Sequence, residues 1–117
     1  AMENTDFYEA DRLLKLGLYP QAFEAFMALE VGSYECSYLM PCKMAMDNHL
    51  TPAQMDLLAH ELEREVKNSN PRATFNYGLI MDHTGNQAKA IQLLQLAMDL
   101  GVPEARAALS RSLMKGA

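Results

Sequence analysis

"ATFNYGLIMDHTGNQAKAIQLLQLAMDLGVPEARAAL", residues 73–109, decides the fold. Ala90, Leu94 and Ala97 recur at three- and four-residue spacing, the signature of one helix face. Gly85 precedes this run and Gly101 follows it. Glycine at such a place lets the chain leave a helix in a left-handed turn. Pro103 then stands where a first helical turn tolerates proline. The stretch therefore predicts helix, turn, helix, turn, helix.

The same punctuation extends outward. Thr5 can cap "DFYEADRLLKL", which Gly17 ends, with Phe7, Ala10, Leu13 and Leu14 on its buried face. Pro20 opens "PQAFEAFMALE", with Ala22, Phe26 and Leu29 on one stripe and Gly32 just past its end. Ser33 can cap "YECSYLMPCKMAMDN", residues 34–48. Thr51-Pro52 opens "PAQMDLLAHELEREV", with Met55, Leu58, Leu62 and Val66 as its stripe. Asn70 caps "RATFNYGLIMD" behind Pro71. The expected fold is all-α, with about seven antiparallel helices stacked as helix-turn-helix pairs in one domain over residues 1–117. No segment alternates apolar and polar residues for long, and β-branched residues are scarce.

The sequence also matches itself. Gly17, Ala22, Phe26 and Leu29 correspond to Gly85, Ala90, Leu94 and Ala97, each pair 68 positions apart. That is twice the tetratricopeptide period of about 34 residues. Residues 73–109 add Ala73, Tyr77-Gly78, Lys89-Ala90, Gly101, Ala105 and Leu109. This pattern resembles a Sel-like repeat, a relative of the tetratricopeptide repeat. Residues 10–32 look like half a repeat. The middle departs: Thr51, Asp56 and His60 occupy the expected glycine, alanine and large-residue positions. The resemblance implies a short superhelix of helix pairs that binds protein through a concave surface. It supplies no catalytic residues.

Half of the 117 residues are apolar, and no apolar run approaches the roughly 20 residues a membrane span needs. "AMENTDF" lacks the charged and apolar regions of a signal peptide, and Ala1 before Met2 reads as a cloning remnant. Cys36 and Cys42 form neither a disulfide framework nor a CxxC motif. Free thiols fit a cytoplasmic protein. The net charge of −5 argues against nucleic acid as a direct partner. Residues 1–66 hold twelve acids and four bases, whereas residues 67–117 hold three acids and six bases. An acidic half of this kind steers a basic partner towards it.

Glu3, Asp6 and Glu9 are spaced by threes and share a side of the first helix. Favourable charge at a helix N-terminus explains them structurally. A patch for a partner's lysines and arginines explains them functionally. Asp56, Glu61, Glu63 and Glu65 offer a second patch, expected to be solvated on the charged face of their helix.

Catalytic chemistry has little to build on. "HELER", residues 60–64, resembles the start of a zinc-protease helix, but Arg64 occupies the place of the second histidine. His49, His60 and His83 are scattered, and no phosphate loop or calcium loop is present. The sulfur-rich "CSYLMPCKMAM", residues 36–46, suggests a Cu(I) site. On a helix turning about 100° per residue, Cys36, Met40 and Met44 fall near one side, and Cys42 and Met46 near the other. A nearly all-apolar helix is a buried one. The segment therefore reads as the central packing element, with no metal and no cofactor.

The expected function is a non-enzymatic protein-protein interaction module: a small acidic binder that neutralises a basic partner. Bacterial immunity proteins that inhibit toxins such as nucleases offer a class-level analogy. A general scaffold or adaptor is the alternative.

Overall fold

A computed structural model describes residues 4–30 and 36–116. Among these residues the chain is all-α, with no strand. Seven helices follow one another: α1 (Asn4–Lys15), α2 (Tyr19–Glu30), α3 (Leu39–Met46), α4 (Pro52–Lys67), α5 (Pro71–His83), α6 (Gln87–Asp99) and α7 (Ala105–Lys115). The expected cap at Thr5 is displaced, because α1 already includes Asn4. Gly32 and Ser33 lie outside the described residues.

The turns explain why the chain folds back on itself so often. Gly17 (φ 76°) donates its N–H to the Leu14 carbonyl at 3.0 Å, and Leu18 donates to Leu13 at 3.0 Å. Gly85 (φ 86°) donates to Asp82 at 3.2 Å, and Asn86 donates to Met81 at 2.8 Å. Each donor and acceptor of the second turn lies 68 positions after its counterpart in the first. Both turns satisfy carbonyls that a helix end leaves without partners. Gly101, Asn48 and Ser69 repeat this hydrogen-bond pattern, and all three have positive φ. At the opposite helix ends, Thr51 and Gln54 form a reciprocal capping box. The Asn70 side chain accepts from the Ala73 N–H at 3.1 Å, ahead of Pro71.

Each helix packs on the next in sequence, and α5 also packs on α3 and α7. Among the described residues the even-numbered helices α2, α4 and α6 make no extensive contact with one another. The result is an elongated stack of 42 × 27 × 21 Å. One core joins α1 to α6 through Ala22, Phe26, Met44, Leu58, Leu62, Tyr77 and Ile80. A second joins α5, α6 and α7 through Phe75, Leu94, Ala97, Ala105 and Leu109.

The centre of the stack is α5, a correction to the expectation for residues 36–46. Residues 73–78 are all buried, including the polar Thr74 and Asn76. A Cβ at Gly78 would stand 2.8 Å from Leu94 Cδ2, so glycine sets the close approach of α5 and α6. The sulfur-rich segment forms a helix of only eight residues. Tyr38 immediately before it adopts a left-handed conformation (φ 57°), which breaks any helix running in from residue 34. Pro41 falls in the first turn, where its absent N–H has no intrahelical partner to lose. Its place at the third position of the helix therefore costs no hydrogen bond. Cys42 and Met44 are buried, and Cys36, Met40 and Met46 pack against the same core.

Candidate protein-interaction surface

The acidic residues separate into two populations. On α1, Asp6 and Glu9 are exposed and line a 300 Å³ recess with Ala25, Ala28 and Leu29 of α2. Arg12 grips Glu9 with two hydrogen bonds, at 2.9 and 2.8 Å, and these hold the carboxyl below its usual range. Glu3 lies outside the described residues. Asp56 is exposed on α4 and makes no ion pair with a described residue.

The remaining acids of α4 are not the solvated face expected from their pattern. Glu65 is only 9% exposed and accepts a long bond from Asn70 Nδ2 at 3.4 Å. Its position beside the Leu62 stripe turns it inward, under the loop that precedes α3. Glu61 accepts from the Tyr38 hydroxyl at 3.2 Å and pairs with Arg64 at 3.1 Å. Glu63 accepts from the Tyr77 hydroxyl at 2.7 Å and pairs with Lys89, whose Nζ also lies 5.0 Å from the centre of the Tyr77 ring. Those partners tie α4 to α5 and α6. Lys89, then Tyr77, hold the Glu63 carboxyl below its ordinary value, and Glu63 raises the Lys89 ammonium. Burial, then the Glu63 carboxylate, pushes the Tyr77 phenol up.

The loop before α3 is fastened by amides. Asn70 Nδ2 donates to the Cys36 carbonyl at 3.2 Å, and Asn76 Nδ2 donates to the Ser37 carbonyl at 2.9 Å. These bonds hold Tyr38 in its left-handed conformation with its ring buried. A 570 Å³ recess opens here, lined by Cys36, Ser37, Glu65, Asn68, Asn70, Pro71 and Arg72. Burial, then Glu65, pushes the Cys36 thiol up, the wrong direction for a nucleophile. His49 stacks flat on Tyr19 with ring centres 3.8 Å apart, and His60 and His83 are exposed. Among the described residues, no three His, Cys, Asp or Glu side chains are grouped to hold a metal ion.

A third recess was not evident in the sequence. It measures 260 Å³ and lies between α2 and α4, lined by Phe23, Glu24, Met27, Leu57 and Glu61. Leu57 is 59% exposed. The available signal was its place outside the Met55, Leu58, Leu62 and Val66 stripe: a leucine on the charged side of an amphipathic helix.

Many cations of the C-terminal half are engaged internally. Arg72 meets Glu104 at 2.5 Å, and Lys115 meets Asp82 at 2.7 Å. No helix among the described residues is long and apolar enough to cross a membrane. Comparison with protein-family models, curated proteins and solved structures returned no match.

Proposed function

We propose that this protein is a non-enzymatic interaction module of tetratricopeptide/Sel-like type that binds a basic protein partner through its acidic N-terminal half. In its most concrete form it is a cytoplasmic inhibitor of the immunity-protein kind, covering the basic surface of a bacterial toxin. One observation carries this reading. Asp6, Glu24 and Asp56 are exposed on α1, α2 and α4 and make no ion pair with a described residue. Asp6 and Glu24 also line recesses with apolar side chains. Exposed charge beside apolar surface supplies both steering and burial, the two ingredients of a specific complex. The packing of each helix on its successor, with α3, α5 and α7 also stacked in turn, agrees with the superhelical reading.

Co-expression with the product of the adjacent gene tests the sharp form. The expected result is a toxic neighbour, protection by this protein, and a stoichiometric complex that weakens as salt rises. A harmless neighbour, or a toxic one without protection, removes the inhibitor reading. Recovery of several unrelated partners favours a scaffold or adaptor.

A further inference from the structure

We infer that the recess between α2 and α4 is where the partner docks, and that it receives a bulky apolar side chain from a basic amphipathic helix. The inference rests on the basic-partner reading above and adds the surface and the anchor. Phe23, 2% exposed, and Met27 form one side, and Leu57 stands across from them on α4. Glu24 and Glu61 edge the opening, and the exposed Asp56 precedes Leu57 in sequence.

The recess follows from the stack. α3 packs on both α2 and α4, whereas α2 and α4 make no extensive contact with each other among the described residues. Two neighbouring helices separated in this way leave a groove between their ridges, the shape into which a third helix packs. An isolated exposed leucine means little. This one borders a cavity that also reaches a buried phenylalanine and a methionine, and methionine adapts readily to a partner's contour.

The rim selects the occupant. Carboxylates favour lysine or arginine on either side of the apolar anchor and repel phosphate-rich nucleic acid and anionic lipid surfaces. The other two recesses lack this combination. The one beside Asp6 has only alanines and Leu29 as apolar lining. The one beside Cys36 has no bulky apolar side chain in its lining, and Asn70 there already fastens the loop.

The test titrates the full-length protein with a synthetic amphipathic helix of leucine and lysine, followed by methyl nuclear magnetic resonance. A leucine/glutamate peptide is the charge-inverted control. Saturable shifts are expected at Met27 and Leu57 with the lysine peptide and none with the glutamate peptide. Leu57→Ser should weaken binding about tenfold. Because Leu57 is exposed, this variant should keep its methyl spectrum elsewhere. Glu24→Lys should weaken the lysine peptide and admit the glutamate peptide. Binding that ignores Leu57→Ser, or shifts confined to the Asp6 recess, overturns this docking site and leaves the basic-partner reading standing. Self-association through Met27 and Leu57 without peptide overturns the occupant in favour of a second copy, whose Arg106, Arg111, Leu113 and Met114 are exposed. No binding of either peptide overturns the recess, and toxin protection in the co-expression experiment then judges the basic-partner reading separately.

Discussion

Replacing Gly85 by alanine isolates the energy of a single helix-ending turn. Gly85 has φ of 86°, and a Cβ added there meets nothing within 4 Å. Packing therefore contributes no penalty, and the left-handed backbone contributes all of it, about 1–2 kcal/mol. Alanine also restricts the unfolded chain, which offsets about 0.4–1 kcal/mol. The net loss should be about 0.8 kcal/mol, within limits of about 0 and 1.6 kcal/mol. For a chain of 117 residues, this lowers Tm by roughly 2–6 °C. Gly17→Ala should behave alike, because Gly17 has φ of 76° and equally open surroundings. Ser69→Gly reverses the experiment: Ser69 holds φ of 58° in the same hydrogen-bond pattern. It should be neutral to stabilising by up to about 1 kcal/mol. Urea unfolding followed by far-ultraviolet circular dichroism measures all three. A Gly85→Ala variant more stable than the parent, or a loss of Ser69→Gly stability comparable with that of Gly85→Ala, would refute the turn argument.

Ala90→Phe should destabilise by about 1–3 kcal/mol in the same assay, because Ala90 is fully buried and a ring there must displace packed neighbours. A neutral result would mean that α6 does not make a close contact at this position. Glu63 should contribute acid sensitivity. Its folded carboxyl titrates below the ordinary value of 4.5, so its stabilisation is complete above that pH and fades as pH falls through the folded value. Both Glu63 and Lys89 are more than a third exposed, which limits the effect to about 0.2–1 kcal/mol. Glu63→Gln should flatten the acid limb of the stability profile, and an unchanged limb would contradict the assignment. Finally, iodoacetamide should label part-exposed Cys36 before Cys42, whose thiol is buried and pushed up chiefly by desolvation. Peptide mass mapping reads the order, and faster labelling of Cys42 would place it at an accessible surface.

The helices and most of their ends were legible because their causes are local. Thr51 with Gln54, Asn70 with Pro71, and the glycines at 17, 85 and 101 each act within a few residues of their own position. Asn48 and Ser69 take the same left-handed role, but their side chains also occur in ordinary turns and carry a weaker signal. The extent of α3 was misjudged for a related reason. Its start depends on Tyr38, and Tyr38 is held by Glu61, with the carbonyls before it bound to Asn70 and Asn76, from 23 to 39 positions away in sequence.

The candidate site was legible in its charge and not in its shape. The sequence by itself determined an all-α chain with an acidic first half, since propensity, capping and charge are properties of short segments. Only the tertiary structure decided which acids remain available. Glu65 is buried, Glu63 is held by Tyr77 and Lys89, and Glu24 lies beside a recess with Leu57. It also decided that α5, whose residues 73–81 carry no charge, is the centre in place of the sulfur-rich segment. Those outcomes depend on which helices become neighbours. That choice follows from burial summed over the whole chain, which no single segment encodes.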